Sequence, residues 1–244
     1  AEFMAGNLSL AMDDTDKVKI LYDDCLQNRL RVLPPDINTG TYEFTPLRTQ
    51  GAPADQSLTD IRYGLGAVRG TGEAAIEAIV KARETGGPFT DLFDFCARVD
   101  RRQVNRRAIE ALMRAGAFDG LYAMGANQKG KPYDIRSTLL ASLARAIEAA
   151  EQAEASIHQV SLFETAGETD RHLPELVSEP PWPEKKRLQE EKTALGLCLT
   201  GHLFDAYRNE VAHFVRQPLV KVTEGKDQLL AGIITSARML TGQR

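Results

Sequence analysis

Gly70 and Gly72 stand one residue apart at the head of a helical run, in the stretch AVRGTGEAAIEAIVKA from Ala67 to Ala82. Glycine reaches the left-handed backbone region that other residues avoid, so the pair predicts a sharp reversal of the chain. Ala75, Ile76, Ile79 and Val80 recur at helical spacing with Arg83 on the polar flank, which predicts an amphipathic helix running from Ala67 onward. A turn that feeds a helix in this way can cradle a nucleotide, reverse the chain, or lay backbone N–H groups against the phosphates of DNA.

Spacing removes the first use. A dinucleotide loop needs G-x-G-x-x-G, but counted from Gly64 the sixth position is Arg69, and no long βαβ unit surrounds it. A triphosphate loop needs G-x-x-x-x-G-K-[ST]; counted from Gly66, Thr71 stands where the second glycine belongs.

The 244-residue sequence predicts a mainly α protein of one large or two modest domains, with 43% hydrophobic residues to build a core. It reads as a piece of something longer, entering within a helix (FMAGNLSLAM), with Asp13, Asp14 and Thr15 offering a cap for a second helix to about Asn28. YEF (42–44) and DIRYG (60–64) predict a small β-hairpin with a long loop. Gly86, Gly87 and Pro88 stop the helix after Gly72, and further helices are expected at Leu92 to Ala97, from Asn105 towards Phe118, and from Ser137 to Ala155. Residues 156–183 hold four of the eleven prolines and predict a linker. A charged helix follows, then a helical piece from Leu203 to about Val215, and LLAGIITSARML (229–240) has the composition of a strand.

Several classes of function are excluded at this level. No stretch approaches the roughly 20 apolar residues of a membrane span, and AEFMAGNLSL lacks the basic start of a signal peptide, so a cytoplasmic setting without membrane contact is expected. Cys25, Cys96 and Cys198 form no CxxC pair, and His158, His172, His202 and His213 have no ligand spacing. Asp13, Asp14 and Asp16 are expected to cap a helix and not to hold metal.

The net charge is −4, but it is uneven: residues 61–116 carry ten Lys and Arg against seven Asp and Glu, and residues 1–60 carry five against ten. An anionic partner is therefore expected to meet the middle of the chain. There, Val68-Arg69-Gly70-Thr71-Gly72 fits the hydrophobic-x-Gly-hydrophobic-Gly hairpin of a helix-hairpin-helix, with Thr71 in the usual aliphatic position. The glycines give the turn its positive φ and let a partner's backbone approach, while the N–H groups at the start of the next helix face outward towards phosphate. A second unit is expected downstream, with its turn at Ala115-Gly116-Ala117 and a basic run of Arg101, Arg102, Arg106 and Arg107 ahead of it. An ordinary corner between helices is the plainer reading of the glycines, and a solvated helix face the plainer reading of the arginines.

Within the expected linker, HQVSLFE presents Gln159, Leu162 and Phe163 in a polar setting. An exposed Leu-Phe pair suits extended docking into an apolar pocket elsewhere, with the glutamine amide as a polar anchor; tucking onto its own domain is the alternative.

Taken together, LPPDIN (33–38), IRYGLGAVRGTGEAAIEAI (61–79), GPFTDLFDFCARVD (87–100), NRRAIEALMRAGAFD (105–119), QVSLF (159–163) and TALGLCLTGHLFDAY (193–207) resemble the α subunits of bacterial DNA polymerase III, the C-family replicative polymerases. The resemblance implies the end of the polymerase fingers over residues 1–60 and a tandem helix-hairpin-helix module over 61–155. It implies a linker carrying a clamp-binding peptide over 156–183, and a helical connector with the first strand of an OB-fold over 184–244. Arg69, Gly70, Thr71 and Gly72 would then hold duplex primer-template DNA together with Ala115 to Ala117 and the four downstream arginines. Gln159, Leu162 and Phe163 would bind the β sliding clamp, and other holoenzyme subunits would meet regions outside this stretch. The family's Mg²⁺-binding palm aspartates are expected upstream of residue 1, so no cofactor and no catalytic residue is expected here. The rival readings are a helix-hairpin-helix repair enzyme such as a DNA glycosylase, which would need a base-receiving aromatic pocket, and a purely structural spacer.

Overall fold

The computed structural model describes residues 1–48, 60–122, 134–160, 175–215 and 229–234. It is mainly α, as expected, with a small three-stranded sheet.

Helix α1 (Glu2–Leu10) leads into α2 (Thr15–Gln27), and Asp14 caps α2 by accepting the Asp16 and Lys17 N–H groups, each at 3.2 Å. Of the acidic residues at this turn, Asp14 is thus the helix cap.

Strands β1 (Arg31–Leu33), β2 (Thr45–Leu47) and β3 (Asp60–Arg62) form a sheet in the order β1-β3-β2. The antiparallel β2–β3 pair is the expected hairpin, but β2 begins after YEF. The backbone of Thr41 and Tyr42 is already engaged, because their carbonyls accept the Leu65 and Gly66 N–H groups at 2.8 and 2.9 Å. Phe44 turns inward to pack on Tyr63, ring centroids 4.6 Å apart. Strand β1, parallel to β3, was not expected; three residues are too few to show a period, and Arg31 is tied to Asp60 by two hydrogen bonds of 2.8 and 2.6 Å.

A single 3₁₀ turn (Leu65–Ala67) precedes α3 (Glu73–Gly86), so the helix starts six residues later than the period suggested. Helices α4 (Leu92–Arg98) and α5 (Arg106–Ala115) follow, capped by Asp91 and Asn105. Helix α6 (Arg136–Val160) runs five residues past the expected end at Ala155. Residues 175–183, expected as linker, lie along α6: Ser137 Oγ donates to the Pro180 carbonyl at 2.8 Å, and the Val177 N–H donates to Ser142 Oγ at 2.8 Å.

Helix α7 (Glu184–Leu195) contributes Ala194 and Leu195, with Leu197 beyond it, to the core that begins at Met4. Phe95 is central in that core, edge-on to Phe89 at 5.0 Å and to Phe118 at 4.9 Å. After α7 come a 3₁₀ turn (Leu203–Tyr207) and the short α8 (Arg208–Val211). The strand expected from Leu229 is not formed over 229–234, where Leu229, Leu230 and Ile234 are exposed and no described segment pairs with them; 235–240 lie outside the described residues. Composition favours a strand, but the ladder partner decides whether one forms. Among the described residues no helix is long and apolar enough to cross a membrane.

Candidate nucleic-acid interface

The first hairpin is built on local hydrogen bonds. Val68 is buried, Gly70 adopts φ +87, and the Thr71 hydroxyl lies 2.9 Å from the Leu65 carbonyl and 2.6 Å from that of Val68. A threonine therefore serves where an aliphatic residue was the pattern, because its hydroxyl ties the turn back to the preceding 3₁₀ turn. Gly72 is different. It caps α3 with φ −96 and ψ 159, an extended conformation open to any residue, so only Gly70 needs positive φ.

Space explains Gly72 no better within the chain, since a Cβ on either glycine would meet nothing within 4 Å. The outer side of the hairpin is open. The first hydrogen bonds of α3 run from Ala75 and Ile76 back to the Gly72 carbonyl, so the N–H groups of Gly72, Glu73 and Ala74 have no partner among the described residues. Exposed Arg69 lies beside them, and so does the acidic side chain of exposed Glu73.

The second hairpin lies elsewhere than the sequence suggested. The α4–α5 connection spans Val99 to Asn105: the Gln103 and Val104 N–H groups donate to the Asp100 carbonyl at 3.0 and 2.9 Å, Val104 is buried, and Asn105 caps α5 by accepting the Ala108 N–H at 3.0 Å. Ala115, Gly116 and Ala117 instead form the exit turn of α5 and are buried. The Gly116 and Ala117 N–H groups donate to Met113 and Leu112, which closes the helix end and leaves them nothing to offer a phosphate. A Cβ on Gly116 would overlap the Arg136 guanidinium.

The arginines divide as well. Arg101 turns to α6, pairing with Glu151 at 3.3 Å and with Glu154, and Arg106 pairs with Glu110 at 2.8 Å. Arg102 and Arg107 are exposed, and neither side chain has a partner among the described residues. Between α3 and the second hairpin lies an open cleft of about 640 Å³, lined by Glu77, Lys81, Thr85, Arg98, Asp100 and Gln103. Arg98 is committed to structure, donating to the Ala82 and Gly87 carbonyls at 2.9 and 2.6 Å and lying over Phe89. No lining residue is aromatic, so the cleft offers no stacking face to a flipped base.

One cluster escaped sequence reasoning. Arg136, 2% exposed, donates to Asp119 at 2.7 Å, to Glu191 at 3.4 Å and to the Arg114 carbonyl at 3.1 Å, joining α5, α6 and α7. Glu191 is fully buried and also accepts from the Leu199 N–H, the Thr200 N–H and the Thr200 hydroxyl. Glu191 sits in a run of charged residues, EKKRLQEEK, where nothing local distinguishes it.

Gln159 falls in the last turn of α6, and Leu162 and Phe163 lie outside the described residues. His202 has a structural place, its Nδ1 accepting the Phe204 N–H at 3.1 Å. The Cys96 thiol is buried, and burial pushes its pKa up to about 12, which leaves no nucleophile there.

Comparison with known proteins agrees with this geometry. A helix-hairpin-helix motif family matches residues 29–129, a span containing both hairpins. The chain is 41% identical over 244 residues to the DNA polymerase III subunit alpha of Neisseria meningitidis serogroup A, covering all of this chain and 20% of that protein. It is 41% identical over 251 residues to the Vibrio cholerae protein of the same name and 39% identical over 252 residues to that of Escherichia coli K12, again along its full length. The chain thus spans about a fifth of the length of these relatives. From end to end, the chain thus matches an internal segment of the bacterial DNA polymerase III α subunits.

Proposed function

We propose that this segment holds duplex DNA without regard to sequence and tethers its polymerase to the β sliding clamp during replication. The observation that carries the first half is the open first hairpin: three N–H groups without a partner among the described residues, at the head of a 14-residue helix, beside Arg69. Backbone N–H groups fit a phosphate oxygen and read no base, so such a grip positions DNA and ignores its sequence. Arg102 and Arg107 add a second cationic point on the next hairpin, while the charge of Arg101 is neutralised by α6.

The second half rests on the resemblance of Gln159, Leu162 and Phe163 to the family's clamp peptide, with Gln159 in the last turn of α6. Two weak contacts joined by a short tether combine through effective concentration into a long residence time. Nucleotide joining by the parent polymerase, with its Mg²⁺, is assigned to residues outside this chain, and the setting is the bacterial cytoplasm among the other holoenzyme subunits.

The test is fluorescence anisotropy of the chain with primed duplex DNA and, separately, with purified clamp. Arg102→Ala with Arg107→Ala should lower the slope of log affinity against log salt by about two, since each phosphate contact contributes about 0.9. Arg101→Ala should leave that slope unchanged. Leu162→Ala with Phe163→Ala should abolish clamp binding and spare DNA binding. Duplex binding that ignores salt would refute the first half, and clamp binding that survives the double substitution would refute the second.

A further inference from the structure

The C-terminal turn of α7 meets the first hairpin at Arg69. The Arg69 N–H donates to the Ala194 carbonyl at 2.8 Å, and the Tyr63 hydroxyl donates to the Leu195 carbonyl at 3.4 Å. Gly196 then turns the chain away at φ +80. A Cβ on Gly196 would overlap the Thr15 methyl at the head of α2 and would lie 3.0 Å from a guanidinium nitrogen of Arg69. Three segments distant in sequence therefore close on one residue that has no side chain: the start of α2, the hairpin and the end of α7.

The end of α7 is itself fixed. Glu191, one turn back, is buried against Arg136 and holds the N–H groups of Leu199 and Thr200, so the turn cannot yield easily to an added group. The carbonyls at a helix C-terminus carry partial negative charge and favour a cation beside them. Arg69 has its guanidinium next to Gly196 and its own N–H on Ala194, so the direction of its charge depends on where α7 ends.

We infer that Gly196 is a positioning residue for the first hairpin: the gap it leaves at the end of α7 sets where Arg69 presents its charge to a phosphate. The functional consequence rests on the duplex-binding reading, while the structural one rests on the Arg69–Ala194 junction alone.

The test uses the full chain in three forms. Gly196→Ala should weaken binding to primed duplex about tenfold and lower the salt slope by about one, as expected for one lost cationic contact. Adding Thr15→Ser removes the overlapped methyl and should recover most of that affinity. Gly201→Ala is the control, because its Cβ would sit 3.4 Å from Leu188 in ordinary contact; it should change neither quantity.

Hydrogen exchange on the unsubstituted chain gives a readout independent of DNA. The Arg69 N–H should exchange with the slow amides of α7, and those of Glu73 and Ala74 should exchange fast. An Arg69 amide as fast as Ala74, or a Gly196→Ala chain with unchanged affinity and slope, overturns the inference. If the unsubstituted chain binds no duplex while its Arg69 amide stays protected, the duplex-binding reading falls and the junction stands.

Discussion

Gly70 and Gly116 share a backbone conformation, φ +87 and +84, and each punctuates a helix of the same module, yet their surroundings are opposite. Around Gly70 a side chain would meet only solvent; at Gly116 it would meet the guanidinium of buried Arg136. The N–H groups beside Gly70 have no partner among the described residues at the start of α3, whereas those of Gly116 and Ala117 are consumed in closing α5. A left-handed glycine therefore identifies a turn but does not say which way the turn faces. Packing from α6 and α7, much later in the chain, leaves one turn open and makes the other a piece of core.

That contrast predicts a ranking of alanine substitutions, read by thermal and urea unfolding. Gly116→Ala combines left-handed strain with overpacking against Arg136 and should cost about 3 kcal/mol. Gly70→Ala has the same strain and no overlap, and about 1 kcal/mol is expected. Gly72→Ala, extended and open, exchanges one helix-capping residue for a poorer one and should cost about 0.5 kcal/mol. Equal losses at Gly70 and Gly116 would break the comparison, since strain alone would then govern both.

Duplex affinity should rank the other way and sharpen the point. Gly72→Ala places a methyl where a phosphate backbone would approach and should weaken binding about tenfold, the worth of one charge-assisted hydrogen bond. Gly116→Ala, measured well below its unfolding temperature, should bind as the unsubstituted chain does. If Gly116→Ala weakens binding as much as Gly72→Ala, the exit turn of α5 takes part in the interface after all.

Much of the helical framework was legible because its causes are local. The apolar stripe of Ala75, Ile76 and Ile79 identifies α3 and its buried face, and Gly86, Gly87 and Pro88 mark its end within one residue. The Asp14 cap is a contact over two and three residues, well within the reach of a sequence pattern. Boundaries failed where a residue had a prior engagement, as in Thr41 and Tyr42, whose carbonyls serve Leu65 and Gly66, and Phe44, whose N–H donates to Ser9 Oγ. The basic run illustrates the same limit: Arg101 and Arg102 are neighbours of equal charge, and only the position of α6 gives one its glutamate partners and leaves the other facing water.

The sequence by itself determined the helix-turn-helix rhythm, the left-handed turn at Gly70 and the excess of positive charge between Ile61 and Gly116, because capping, periodicity and composition act over a few residues. The tertiary structure decided which turn is open, which arginines remain free and what holds the first hairpin in place. Those choices depend on contacts such as Arg31 with Asp60, 29 residues apart, and Tyr63 with Leu195, 132 apart. Such partners are selected by packing after the chain has folded back on itself, and no local pattern encodes them.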